Sequence, residues 1–287
     1  MQRAATGLAA TTASLMRETF GRVTGLRLAV VAGSGNNGGD ALFAASQLAR
    51  RGVSVDILPT SDTLHPEGLR AAQREGARIR APRRADVVLD AVVGIGGVGP
   101  LRPAAAQIRD VVDAELTIAV DLPSGLQPDS GDVPGEVWAA DHTITFGTLK
   151  PGVVLRPDVC GDLHLVDIGL DLTLPQASIH LVERGDAGGY FPRPGFDDNK
   201  YTRGVVSIAA GSTKYPGAGQ LCTAGARHAD VGMVRSPVGG FPDVVAAEGR
   251  TDAYVVGPGL ADEGRLDEAV ARAMASGRPV VLDAEAL

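Results

Sequence analysis

Residues 33–40, Gly-Ser-Gly-Asn-Asn-Gly-Gly-Asp, place four glycines, two amides and a carboxylate in one short stretch. An apolar run at 26–32 precedes it, and residues 40–51 have the spacing of an amphipathic helix. We therefore expect a strand, a glycine-rich turn and a helix. Glycines let backbone N–H groups approach a ligand, and a helix start adds unpaired donors. The stretch predicts a ligand-binding loop.

Two aspartates lie within, or at the end of, apolar runs that read as further strands. Asp90 lies within such a run and precedes a glycine turn at 94–97, and Asp121 ends another run, before Ser124. Burying a carboxylate costs several kcal/mol unless a cation or hydrogen-bond donors compensate. A cation held by Asn37, Asp90 and Ser124 is one solution, since hard cations take oxygen ligands. The alternative is that each acid caps a neighbouring turn.

The first loop also fits G-x-G-x-x-G, with glycines at 33, 35 and 38 and Asp56 on the next predicted strand. This pattern is typical of nicotinamide dinucleotide sites, but a single match is weak. Asp40 would put a negative charge at the helix start, where a pyrophosphate would sit. An acid there suits a cation or a proton transfer better.

Other reactive residue types give weaker signals. Lys150, one of only three lysines, could meet a substrate phosphate, but a solvated side chain is the simpler interpretation. Cys160 and Cys222 lack metal-ligand spacing and read as small buried residues in a reducing compartment, the cytoplasm. The histidines also lack paired spacing and read as surface or core residues: His65, His142, His164, His180 and His228.

Strands and helices alternate along the first part of the chain. Strands are predicted at 26–32, 53–58, 86–93, 116–120, 142–146 and 163–168, and helices at 1–20, 40–51, 66–75 and 103–114. Such alternation predicts a parallel sheet covered on both faces. No helix is predicted between the last two strands, so we expect them to pair near the sheet edge.

Composition and the later segments indicate two domains. The 287 residues are 44% hydrophobic and 21% charged, as in globular proteins, and a net charge of −7 argues against a nucleic-acid partner. The apolar runs are too short to span a membrane. Residues 183–200 read as a boundary, and a second α/β segment follows with strands at 205–210, 254–259 and 279–283 and a helix at 218–229. Since the sequence stops just after a buried-type strand, we expect a truncated chain.

The motifs at 36–40, 90–97, 121–125 and 145–147 resemble, in order and spacing, the NAD(P)H-hydrate epimerase family over residues 1–169. The later stretches at 199–218, 257–260 and 281–284 are similar to the ADP-dependent NAD(P)H-hydrate dehydratase family. The resemblance implies an α/β fold: a Rossmann-like three-layer α/β/α sandwich at 1–185, then part of a ribokinase-like α/β domain at 186–287. The joined arrangement is similar to that of bifunctional nicotinamide-nucleotide repair enzymes.

The resemblance also implies an activity and its residues. The substrate would be NADH or NADPH hydrated on the nicotinamide ring, whose R and S epimers the first domain interconverts, with Asp121 as the catalytic residue. The dehydratase removes water from the S form using ADP. Potassium would be held by Asn37, Asp90 and Ser124, and a homo-oligomer is left open. The substrate contacts would be Asn36, Asn37, Gly38, Gly39, Asp40, Gly94, Ile95, Gly96, Gly97, Val98, Gly99, Pro100 and Asp121, with Ala218 and Gly259 in the second domain.

The sequence departs from the family pattern at several positions. Val98 stands where many members carry a basic residue, which Arg102 could replace, and Ala41 replaces a common glycine. The segment with the dehydratase's catalytic aspartate and ADP-phosphate glycines is absent, so this chain is not expected to dehydrate. The alternatives are a nicotinamide-dependent oxidoreductase and a non-catalytic nucleotide-binding scaffold. The grouped acids at 40, 90 and 121 speak against a scaffold.

Overall fold

The computed structural model describes residues 1–170, 181–182, 184–191, 193–261 and 263–287. The chain divides into two compact units, Met1–Leu181 and Val182–Leu287. The predicted domain limit, after residue 185, lies four residues beyond this division. His180 lies outside the described residues.

The first unit alternates strands and helices. Its strands are β1 (Arg27–Ala32), β2 (Ser54–Pro59), β3 (Arg78–Ile79), β4 (Arg84–Ala91), β5 (Asp113–Val120), β6 (His142–Phe146) and β7 (Asp162–Val166). Its helices are α1 (Gln2–Phe20), α2 (Asn36–Ala49), α3 (Pro66–Arg74), α4 (Pro103–Val111), α5 (Pro151–Leu155) and α6 (Pro157–Cys160).

These strands form one sheet of order β3-β2-β1-β4-β5-β6-β7 in which every pairing is parallel. The chain runs outward from β1 through β2 to β3, then crosses back and runs the other way from β4. In open parallel sheets the crevice at this reversal, outside the carboxyl ends of the strands, is the usual ligand site. The fold therefore places a site at the ends of β1 and β4.

Alternate side chains of the central strands face opposite layers. Leu28 and Val30 of β1 pack in one apolar cluster with Leu42 and Leu48 of α2, while Val31 packs in a second cluster that includes α4. Each such buried side chain contributes roughly 1.5–3 kcal/mol. The predicted α/β sandwich, a parallel sheet with helices on both faces, is confirmed.

Three details differ from the sequence-based expectations. Helix α2 begins at Asn36 rather than Asp40, so the expected turn is partly the first helical turn, with Gly35 as N-cap. The short helices α5 and α6 connect β6 to β7, where no helix was expected. Both begin at a proline, whose fixed φ suits a helix start. The strand β3 was also missed, since it has two residues.

The second unit has a smaller parallel sheet of order β11-β10-β8-β9. Its elements are α7 (Arg184–Tyr190), β8 (Val205–Ala209), α8 (Pro216–His228), β9 (Met233–Arg235), β10 (Ala253–Val256), α9 (Glu263–Ala275), β11 (Val280–Leu282) and a 3₁₀ helix (Ala284–Ala286). The sequence analysis missed α7, β9 and α9. Among the described residues of the whole chain, every helix is too short or too polar to cross a bilayer.

Candidate functional site at the carboxyl edge of the first sheet

The loop after β1 is held tightly against the loop after β4. A Cβ atom on Gly33 would lie 2.0 Å from the Val92 carbonyl oxygen, and one on Gly38 would lie 2.2 Å from the Gly33 carbonyl oxygen. Glycine is therefore required at both positions by close backbone approach. This packing brings the first turn of α2 to the sheet edge, and with it Asn37.

Asn37, on the helix that follows β1, forms hydrogen bonds at the ends of β4 and β5. Its side-chain nitrogen donates to the carbonyl oxygens of Val93, at 2.6 Å, and Val120, at 3.0 Å, which follow β4 and end β5. A Cβ atom on Gly94 would lie 3.3 Å from the Asn37 Cβ and 3.4 Å from a carboxylate oxygen of Asp121. Asn37, Gly94 and Asp121 therefore lie together.

Asp121 is paired with Lys150 and almost buried. The Lys150 Nζ donates to Asp121 Oδ1 at 2.5 Å, to Thr145 Oγ1 at 2.7 Å and to the Phe146 carbonyl at 3.1 Å. The Thr145 hydroxyl contacts the same carboxylate oxygen at 3.2 Å. The two charged side chains are only 13% and 11% exposed. The interpretation of Lys150 as a solvated side chain was wrong, because β6 runs beside β5 and directs the lysine back toward Asp121.

The backbone at Asp121 is strained. Its φ is 71°, in the left-handed region that non-glycine residues seldom adopt, and its N–H donates to the Ile144 carbonyl at 2.8 Å. Such a conformation costs about 1–3 kcal/mol and persists where surrounding contacts fix it. Strain of this kind concentrates at functional sites.

Asp90 is fully buried beneath the same edge. Its carboxylate accepts the Ser124 hydroxyl at 2.6 Å, the Ser124 N–H at 2.8 Å and the Val92 N–H at 3.3 Å. Burial raises the pKa of Asp90 to about 6, against the lowering effect of these hydrogen bonds. Among the described residues no basic side chain pairs with it. Asp90 therefore caps the turn at Ser124, and its negative charge is not balanced by a basic side chain of the described residues.

Asp40, in the first turns of α2, has a buried carboxylate oxygen, Oδ1, without a hydrogen-bond partner among the described residues. Burial raises its pKa from 3.8 to about 6; the charge of Asp121 adds to the rise, while the α-amino group of Met1 and His65 oppose it. The electrostatic interaction with Asp121 indicates that the two carboxyl groups lie near each other.

The loop at 94–100 covers this edge with exposed residues. Ile95 and Val98 are 63% and 89% exposed, although both are apolar. Arg102, also exposed, is the N-cap of α4 and lines a small cavity with this loop and Ser124. Exposed apolar side chains beside a cleft suit contact with a ligand.

In the second unit Ala218 and Gly259 touch: a Cβ atom on Gly259 would lie 2.5 Å from the Ala218 Cβ. A cavity of about 370 Å³ in this unit has neither residue in its lining. Of the charged residues that line it, Arg272 pairs with both Glu248 and Glu268. We place the candidate chemistry in the first unit.

Several other residues considered in the sequence have structural partners. Asp56, the acid on the second strand that accompanied the G-x-G-x-x-G match, accepts from Arg80 Nε at 2.5 Å. His142 and His164, expected to be unrelated, form a pair with their ring nitrogens 3.1 Å apart, on neighbouring strands. Cys160 is buried and Cys222 half-buried, and both are free thiols.

Sequence reasoning named Lys150 and the 145–147 motif but missed the contacts that Lys150 and Thr145 make with Asp121. One feature of the sequence could have revealed these contacts. Because β5 and β6 are parallel neighbours, polar residues at the carboxyl end of β6 lie beside the end of β5 that carries Asp121. The rarity of lysine in this arginine-rich chain was a second signal.

The chain is similar to known proteins whose descriptions agree with one another. Residues 1–152 match the family model described as YjeF-related protein N-terminus. The chain is 43% identical to a bifunctional NAD(P)H-hydrate repair enzyme of Mycobacterium leprae, over all of this chain and 63% of that protein. It is 39% identical to an NAD(P)H-hydrate epimerase of Microbacterium testaceum, over 62% of this chain and 73% of that protein. A crystal structure of yeast ynu0 is 18% identical, with a TM-score of 0.46, over 55% of this chain and 74% of that one. The chain thus spans less than two thirds of the length of the bifunctional relative.

Proposed function

Since the chain belongs to the YjeF-related protein N-terminus family, we propose that its first unit is an NAD(P)H-hydrate epimerase, an isomerase that repairs damaged nicotinamide nucleotides. The observation that carries the proposal is the buried Asp121–Lys150 pair, which lies beside Asn37 and Gly94 at the reversal point of the sheet. A positioned carboxylate at a ligand crevice is the equipment of a proton-transfer enzyme.

The substrate chemistry suits this site. Water adds to a dihydronicotinamide ring so that the hydroxyl lies on the carbon next to the ring nitrogen, where the nitrogen lone pair stabilises a developing cation. Epimerisation needs this carbon to lose and regain one bond, with proton transfer to or from oxygen. Asp121, whose carboxylate pairs with the Lys150 ammonium, is the proposed proton acceptor, and such help typically gives ~10²–10⁴-fold in rate.

The proposed substrate contacts are the first turn of α2 and the loop after β4. The first turn of α2 offers backbone donors and the Asn36 and Asn37 amides, together with Asp40. The loop, Gly94 to Pro100, offers apolar cover through Ile95 and Val98. Arg102 is exposed beside this loop and is the proposed phosphate contact in place of the basic residue missing at 98.

A potassium ion is proposed at Asn37, Asp90 and Ser124. The fit comes from the donor set: a fully buried carboxylate without a basic partner in the described chain, a hydroxyl, and the Val93 and Val120 carbonyls that Asn37 contacts. Oxygen ligands of this kind suit hard cations. When bound, the ion would supply positive charge beside the substrate and fix the turn that carries Asp121.

The second unit is proposed to be the first part of a ribokinase-like, ADP-dependent dehydratase domain, with Ala218 and Gly259 near its hydrate site. The support is the name and coverage of the bifunctional relatives and the touching pair Ala218 and Gly259. A reducing compartment such as the cytoplasm is consistent with the two free cysteines.

Epimer exchange tests the proposed function. One resolved epimer of hydrated NADH is incubated with the chain, and chromatography follows the appearance of the other. We expect exchange well above the buffer rate, and a parallel absorbance assay with alcohols and ketones separates this from an oxidoreductase. Exchange at the buffer rate would refute the epimerase, and hydride transfer would favour the alternative.

A further inference from the structure

Two carboxylates in the site have opposite surroundings. Asp121 receives hydrogen bonds from the Lys150 ammonium and the Thr145 hydroxyl. Asp40 has a buried oxygen, Oδ1, that receives none from the described residues. A buried polar oxygen without a partner costs about 1–3 kcal/mol, so its presence calls for an explanation.

Asp40 also lies where the substrate is proposed to bind. It is three residues beyond Asn37 on α2, so both side chains lie on one face of the helix. The ring of His65 packs against Gly39, just before it, since a Cβ there would lie 2.9 Å from that ring. The charged groups that act on Asp40 are the Met1 α-amino group from α1, Asp121 from the end of β5, and His65 from the start of α3.

We propose that Asp40 is a second catalytic residue, which works as the proton donor opposite Asp121 as the proton acceptor. The proposal rests on the epimerase function and adds to it the division of labour between the two acids. Two acids of one site with such different hydrogen-bond surroundings are the usual pattern of an acid–base pair. Burial, which raises the pKa of Asp40 to about 6, agrees with this assignment.

The proposed reaction passes through a cation on the ring. As the bond between the ring carbon and its hydroxyl breaks, protonated Asp40 gives its proton to the leaving oxygen, and water departs. The nitrogen lone pair forms a double bond to that carbon. Water then attacks the opposite face of the carbon while ionised Asp121 takes its proton, and the double-bond electrons return to nitrogen. The product has inverted configuration, Asp40 is ionised and Asp121 is protonated. The reverse reaction uses the same pair with exchanged roles.

The test compares Asp40→Asn with the wild-type chain in the exchange assay between pH 5 and 9. The isosteric amide cannot donate this proton, so we expect at least a ~100-fold loss of exchange rate. We also expect the wild-type rate to fall as pH rises above about 6, because Asp40 ionises. This decline should be absent from the residual rate of Asp40→Asn. Glu67→Gln, which removes an exposed acid from α3, is the matched control and should leave both rate and profile unchanged.

Each result decides the role of Asp40. If the wild-type chain exchanges epimers and Asp40→Asn does so within threefold, the role is refuted while the epimerase stands. A decline with pH that persists in Asp40→Asn would assign it to another group, such as Asp90, and overturn the proposal. Melting curves show whether Asp40→Asn folds. If it does not, Asp40→Glu keeps the carboxyl group and should retain at least a tenth of the wild-type rate; complete loss in folded Asp40→Glu would refute the role. Lack of exchange by the wild-type chain would refute the epimerase itself, and the inference with it.

Discussion

Replacing Lys150 by methionine tests whether its ammonium stabilises a buried carboxylate. The ion pair with Asp121 spans 2.5 Å, and its side chains are 13% and 11% exposed. Removing one partner of a buried pair costs about 3–5 kcal/mol, because the other charge is left in a poorly solvated place. We therefore expect Lys150→Met to lower the free energy of unfolding of the first unit by that amount at pH 8.

Urea unfolding is followed by the fluorescence of Trp138, the single tryptophan, which is buried in the first unit. A probe within one unit avoids mixing the transitions of the two units.

Arg84→Met provides the matched control. Arg84 pairs with Asp113 at 3.9 Å, and these side chains are 71% and 78% exposed. Exposed pairs contribute about 0–1 kcal/mol. If Lys150→Met destabilises the unit no more than Arg84→Met does, the stabilising role of the Asp121–Lys150 pair is refuted.

Three further predictions concern the glycine-rich loop, the ion and the half-buried histidine pair. Gly33→Ala should lower the melting temperature by several degrees more than Gly35→Ala, because a Cβ on Gly33 would lie 2.0 Å from a carbonyl oxygen and one on Gly35 has no described atom within 4 Å. Equal shifts for the two variants would contradict the close packing of Gly33. Potassium should raise the melting temperature of the wild-type chain above its value in sodium, because a ligand that binds the folded state stabilises it. Asp90→Asn should abolish this rise, and a rise that persists in the variant would show that the ion does not bind at Asp90. Burial and, to a smaller extent, His142 lower the pKa of His164 in the folded state. The free energy of unfolding should therefore fall as the pH drops through the ordinary histidine pKa of about 6.5, and His164→Gln should lessen this fall. An unchanged pH dependence in the variant would contradict the pairing.

The sequence was informative about the site where a residue's role depends on its own strand end. Asn37, Asp40 and Asp121 each follow a readable apolar strand, and a parallel sheet brings such ends to one edge. The role of Lys150 depends instead on a pairing between β5 and β6 and on short helices that apolar periodicity does not reveal. The histidine pair was missed for the same reason, since its members are neighbours only across β6 and β7.

Among the predicted helices, the start of α2 differs most from the structure. Glycine-rich residues 36–39 read as a turn from local propensity, yet they form the first turn of α2 because the close contacts of Gly33 and Gly38 fix the backbone there. Asp90 illustrates a different limit. The sequence left open whether Asp90 caps a turn or binds a cation. The contacts of Asp90 with Ser124 establish the cap, and the cation stays a proposal.

One cleft is proposed to hold the hydrated nucleotide against Asp40 and Asp121, with a cation beneath it. The most direct measurement is a crystal structure of the chain soaked with hydrated NADH and rubidium, a potassium substitute with a strong anomalous signal. We predict the hydroxyl-bearing ring carbon between the two carboxylates, its oxygen within hydrogen-bond distance of one of them, and an anomalous peak among Asn37, Asp90 and Ser124. A nucleotide bound with its ring out of reach of both carboxylates would contradict the account.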